Sequence, residues 1–113
     1  MNLIIRLLIT AAVAYGLTYV LEAVNIADFK TAIIFSLVLG LLNAIVKPIL
    51  VLLTIPVTIF TLGLFLLIIN AVIILVADKL IPGFSVDGFW WALIFSLVLS
   101  VVSGIVSSLL KRD

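Results

Sequence analysis

The residues able to do chemistry in this chain are few, and they fall at helical spacing. Ser36, Gly40, Asn43 and Lys47 are separated by four, three and four positions, which places them on one face of an α-helix. Ser96, Ser100, Ser103 and Ser107 repeat that spacing further on. Arg6, Thr10, Ala14, Thr18 and Glu22 make a similar, slowly drifting stripe, and Gly63, Asn70 and Ala77 recur at intervals of seven. Small side chains let helices approach closely in lipid, and hydroxyl and amide groups bond across the contact for about 0.6–2 kcal/mol each. The same faces, turned toward a second copy, would line a pore. The spacing alone leaves both uses open.

Other chemistry is excluded by what is missing. The chain has no His and no Cys, so it offers no thiolate nucleophile, no imidazole base and no soft metal site. Its serines have no histidine to activate them, and no Gly-rich phosphate loop is present. No catalytic, cofactor-binding or metal-binding residue is therefore expected, and the chain does not read as an enzyme. A net charge of +1 without basic runs argues against nucleic acid as a partner. Nothing in the sequence identifies a small-molecule substrate.

The elements that carry these faces are set by composition. Of 113 residues, 67% are hydrophobic and 10% charged, and the mean hydropathy is +1.63. A soluble domain is about 25% charged, so this chain cannot clothe a water-facing surface. Its natural partner is the lipid bilayer. Four uniformly apolar stretches, 3–21, 31–46, 63–77 and 89–110, each approach the length needed to cross about 30 Å of hydrocarbon as a helix. None alternates with period two over ten residues, as barrel strands would. The expected fold is all-α: a polytopic membrane protein of four transmembrane helices in a single domain, 1–113. A signal peptide is the competing reading of the first stretch. Only five residues separate Arg6 from the small residues at Ala12, too short for the apolar region of such a peptide.

Lys and Arg collect on the cytoplasmic side of membrane proteins. Arg6, Lys47, Lys111 and Arg112 fall on one side of a four-span chain, against Lys30 and Lys79 on the other. Both termini are thus expected in the cytoplasm. Trp90 and Trp91, beside Phe89, belong where an interfacial aromatic belt lies. Lys47 reads as a side chain reaching for headgroups.

Shifted by sixty residues, the chain matches itself. Residues 29–50 and 89–110 are identical at 11 of 22 positions, with an unbroken run from Ile34 to Leu39 against Ile94 to Leu99. Chance in so apolar a composition gives about two or three. The expectation is two parallel-repeat helical hairpins, about 1–50 and 63–110, related by a pseudo-two-fold axis along the membrane normal. Between them, 51–62 reads VLLTIPVTIFTL, too short to span. It is either an apolar interfacial or re-entrant connection, or the meeting of two longer, kinked spans. Pro48 and Pro56 are expected to break any continuous helix there. Asn43 and Asn70 both fall in the inner half of the bilayer. Each needs a partner, and they serve either as glue between helices or as part of a polar pathway for an ion or lipid headgroup.

The segment 43–84 carries a resemblance to a known family. Its Asn43, Lys47-Pro48, Pro56, Thr61-Leu62-Gly63-Leu64-Phe65, Asn70 and Pro82-Gly83-Phe84 resemble the core of the mycobacterial-type four-span phage holin superfamily IV, also called the YvlD-like bacterial membrane proteins. The likeness extends over nearly the whole chain. It implies a four-span fold and a homo-oligomer that permeabilises the cytoplasmic membrane, and it supplies no catalytic residues. The alternative is an envelope membrane protein without a pore, in a structural, regulatory or lipid-contacting role.

Overall fold

The computed structural model describes residues 2–111, so Arg112 of the orientation count lies outside the described residues. Five helices and two short strands follow in the order α1 (Leu3–Leu17), β1 (Val24–Ile26), α2 (Phe29–Leu53), α3 (Ile55–Phe60), α4 (Phe65–Leu80), β2 (Phe84–Val86) and α5 (Phe89–Lys111). Helices α1, α2, α4 and α5 form a ring in which each packs on two others: α1 on α2 and α5, α4 on α2 and α5. With 25 and 23 residues, α2 and α5 are long and apolar enough to cross a membrane, at mean hydropathies of 2.2 and 2.4.

Helix α1 is shorter than the stretch 3–21 expected for it. Helical geometry ends at Leu17 because the next residues tighten into turns: Tyr19 and Val20 donate their N–H groups to Gly16 and Leu17 three residues back. The Thr18 hydroxyl donates to the Tyr15 carbonyl at 2.6 Å, which also accepts from the Thr18 N–H at 3.2 Å. At 15 and 16 residues, α1 and α4 extend about 22–24 Å at 1.5 Å per residue.

The strands are absent from the helical reading of the sequence. They pair antiparallel, with Val24 opposite Val86, Asn25 opposite Ser85 and Ile26 opposite Phe84. Backbone bonds extend the pair symmetrically on both sides, Ala27 N–H to Gly83 O at 2.8 Å and Asp87 N–H to Ala23 O at 2.9 Å. In each strand the outer two residues are buried and the central one is exposed. Gly83 sits at φ +90° with Ala27 Cβ and Thr31 within 3.4 Å of where its own Cβ would stand. Both the backbone conformation and the closeness make a side chain there costly.

Asp28 starts α2. Its Oδ1 accepts from the Thr31 N–H at 2.8 Å and from the Thr31 hydroxyl at 2.7 Å, which satisfies one of the free donors of the first turn. These bonds, with the positive charge of Lys30, hold its carboxyl below the ordinary aspartate value.

Two expectations for the connection are corrected. Pro48 does not break the helix: α2 runs through it to Leu53. The lost bond would have joined Pro48 to Ala44, and both residues are exposed, with Ala44 lining an open cleft. The connection does not begin at residue 51 but at Thr54, whose hydroxyl donates to Leu50 O at 2.7 Å. Pro56 falls in the first turn of α3, where a missing N–H costs nothing. Helix α3 ends with Leu62 at φ 58°. Leu62 N–H donates to Ile59 O, and Gly63 N–H to Thr58 O at 2.8 Å, the paired bonds of a Schellman cap.

The core lies at the strand end of the ring. Phe35, Phe84 and Phe95 meet there, with ring centroids 4.6, 5.8 and 6.0 Å apart, and none is more than 2% exposed. Burial recurs at a spacing of sixty residues. Ile9, Ala11 and Leu17 are buried, as are Ile69, Ala71 and Ala77; Ala32, Phe35 and Ser36 are buried, as are Ala92, Phe95 and Ser96.

Candidate functional site

The polar residues gather at the opposite end of the ring, where the helices part. Three recesses adjoin there. A cleft of about 360 Å³ lies between α1 and α2 and is lined by Arg6, Thr10, Ser36, Gly40 and Asn43 among others. A second, of about 460 Å³, lies between α1 and α5 and takes in Arg6, Gly104, Ser107, Ser108 and Lys111. The third is a cavity of about 80 Å³ inside the ring, shared by α2, α4 and α5, with Asn43, Lys47, Asn70, Ser96 and Ser100 in its wall. Arg6 belongs to both clefts, and Asn43 to the first cleft and the cavity. The result is a polar vestibule of three recesses that share lining residues.

Its electrostatics are one-sided. Arg6, Lys47 and Lys111 line it, and among the described residues no carboxylate does. Glu22, Asp28, Asp78 and Asp87 follow or precede the strands instead, and Asp78 accepts from the Val86 N–H at 3.2 Å. The cavity has room for several water molecules, which suits amides that need partners.

The structure places each expected residue differently. Ser36 and Ser96 are buried, but their hydroxyls donate to carbonyls of their own helices, Ile33 O at 2.8 Å and Leu93 O at 2.9 Å. They thus satisfy themselves locally instead of bonding across a helix contact, correcting one of the uses expected of them. Asn43 and Asn70 face one cavity, as their position in opposite-running helices suggests, yet no direct hydrogen bond joins them among the described residues. Gly40 and Ser100 are exposed. Ser103 is half-buried, and its hydroxyl oxygen is buried without a partner. Ser107 lines the α1–α5 cleft. Lys47 is half-buried in the cavity wall. Trp90, 72% exposed, and Trp91, 37% exposed, stand at the start of α5 beside the strands.

Two features escaped the sequence. Arg6 is the residue common to both clefts, and its only signal was the four-residue step to Thr10. The phenylalanine cluster had a signal in the sixty-residue match of Phe35 and Phe95, but their meeting with Phe84 depends on how the hairpins dock. Helix α3 has no buried residue, and Ile59, Phe60 and Leu62 are 70%, 90% and 93% exposed.

Residues 1–105 match the family model described as mycobacterial 4 TMS phage holin, superfamily IV. An uncharacterized protein of Streptomyces coelicolor is 49% identical over 84 residues, covering 71% of this chain and 67% of that protein. The uncharacterized membrane protein YvlD of Bacillus subtilis is 35% identical over 114 residues, 96% of each chain. No solved structure matches.

Proposed function

Because the chain belongs to the mycobacterial four-span phage holin superfamily IV, we propose that it permeabilises the bacterial inner membrane as a homo-oligomer. In this reading α1, α2, α4 and α5 all cross the bilayer, as two hairpins repeated in parallel, with both termini in the cytoplasm. The strand pair caps the outer face. Helix α3, apolar and without buried residues, lies in the inner interface. Trp90 and Trp91 anchor the outer boundary. Turns 18–21 complete the first crossing where α1 itself is short.

The observation that carries the reading is where the polar groups face. A single copy encloses a cavity of only about 80 Å³, far too small to conduct solutes, while Asn43, Ser100 and Gly104 are exposed. Exposed polar groups at membrane depth need partners, and a second copy supplies them with the same faces. Between copies these faces, with Lys47 and Ser107 beside them, would form the wetted wall.

Inducible expression with a membrane-potential dye tests this. Depolarisation on induction is expected, and Ser100→Leu is expected to abolish it while the protein still accumulates in the membrane. An intact potential at high expression of the unaltered chain would overturn the pore. Reporter fusions after Leu53 and Gly83 should report opposite sides, and fusions reporting the same side would overturn the topology.

A further inference from the structure

We propose that the cleft between α1 and α2 binds one anionic phospholipid of the inner leaflet, its phosphate on Arg6 and an acyl chain along the outer flank of the Leu7–Gly40 contact. The proposal rests on the four-span topology given above.

The headgroup half of the site follows from charge. Arg6 lies within an apolar run, exposed in a cleft with no carboxylate in its lining. A guanidinium at the edge of hydrocarbon favours an anion, and its planar fork matches phosphate oxygens with two parallel hydrogen bonds. Thr10 and Asn43 in the same cleft add neutral donors, and Lys111 borders the adjoining cleft on the other side of Arg6. Phosphate is the anion that the inner leaflet presents at this depth.

The acyl half follows from shape. On the other side of the Leu7–Gly40 contact runs a groove of about 260 Å³, lined by Leu3, Leu7, Leu37, Gly40, Leu41 and Ala44. It has four residues in common with the polar cleft, Leu3, Leu7, Gly40 and Ala44, so the two recesses meet along one seam. Leu37 lies about two turns further toward the strand end than Ala44, so the groove runs deeper into the bilayer as an acyl chain does. Gly40 forms the notch: a Cβ there would touch only Leu7 Cδ2, at 3.7 Å. A free phosphate would satisfy Arg6 but has no use for the groove. The second hairpin carries Leu66 and Ser100 where the first has Arg6 and Gly40, so it lacks both the cation and the notch.

The test is lipid retention by the purified full chain in mild detergent, read by native mass spectrometry. Phosphatidylglycerol, phosphatidylcholine of the same acyl composition, and inorganic phosphate are the three probes. One retained phosphatidylglycerol, in preference to phosphatidylcholine, is expected. Arg6→Gln should weaken that retention about ten-fold, the scale of a lost charge-assisted hydrogen bond, and Arg6→Lys should keep most of the preference for the anionic lipid. Gly40→Phe should fill the notch and lower retention, whereas Gly40→Ala and Leu66→Gln should leave it unchanged. Equal retention of the two lipids, undiminished binding by Arg6→Gln, or full displacement by inorganic phosphate would each overturn the site. Failure of the topology itself is read separately, by the reporter fusions.

Discussion

The first hairpin, α1–β1–α2, and the second, α4–β2–α5, bury corresponding positions toward the strand end and present different chemistry at the open end. Sixty residues apart, Phe35 and Phe95, Ser36 and Ser96, and Ala11 and Ala71 are the same residue in the same buried state. At the other end Arg6 stands against Leu66, Thr10 against Asn70, Gly40 against Ser100, Asn43 against Ser103, and Lys47 against Ser107. Packing explains the first set. Where two hairpins dock through a strand pair and an aromatic cluster, a change of volume on one side is felt on the other. The open end is not close-packed, so its two halves are free to differ. The strand end thus holds the closely packed part of the fold, and the open end is where the two halves differ in chemistry.

The comparison can be broken most severely at the aromatic cluster. Phe35→Ala and Phe95→Ala should each destabilise by about 3–5 kcal/mol, the range for emptying a buried aromatic site, and by similar amounts if the halves are equivalent. Unfolding in mixed detergent micelles measures both, and a large disparity would show that one hairpin folds without the other. Next is Gly83→Ala. Its positive φ and the contacts with Ala27 and Thr31 should cost about 1–3 kcal/mol, while Ala23, the corresponding residue of the first hairpin, already carries a Cβ.

Smaller effects sharpen the difference at the open end. Ser103→Leu crowds a half-buried site and should cost about 1–3 kcal/mol, with lower accumulation in the membrane. Ser100→Leu, on an exposed position, should change stability by less than about 0.5 kcal/mol and act on permeability alone. The smallest effect is one of pH. Because hydrogen bonds to Thr31 hold the Asp28 carboxyl below its ordinary value, its contribution is present above the ordinary aspartate range and fades as pH falls through the lowered value. Protection of the amides at 29–32, taken relative to their intrinsic exchange rates at each pH, should therefore fall on acidification, while at 89–92, where Gly88 occupies the corresponding position, it should not. Asp28→Asn should keep the cap and remove the pH dependence.

Much of this was readable because one physical term dominates. An apolar composition with few charges forces most backbone groups to be satisfied within helices, so the all-α class and the rough places of α2 and α5 follow from hydropathy. The self-match at sixty residues contained Phe35 and Phe95, but nothing in it said that the two would meet. The strands were less visible. Val24-Asn25-Ile26 and Phe84-Ser85-Val86 do alternate apolar and polar, but three residues are too few to separate a strand from a loop before a partner is in place. Pro48 misled because proline removes only one helical bond, and whether the helix survives that loss depends on its tertiary setting and not on the local sequence.

The sequence by itself determined the solvent of this protein and the faces of its helices, because both depend on composition and on the 3.6-residue period alone. Only the tertiary structure decided which polar groups look inward. Ser36 turned back on its own helix, Ser103 was enclosed, Asn43 and Asn70 came to share one cavity, and Arg6 became the hinge of two clefts. Those outcomes follow from the relative rotation and spread of four helices, and that geometry is set by volumes meeting across contacts far apart in the chain.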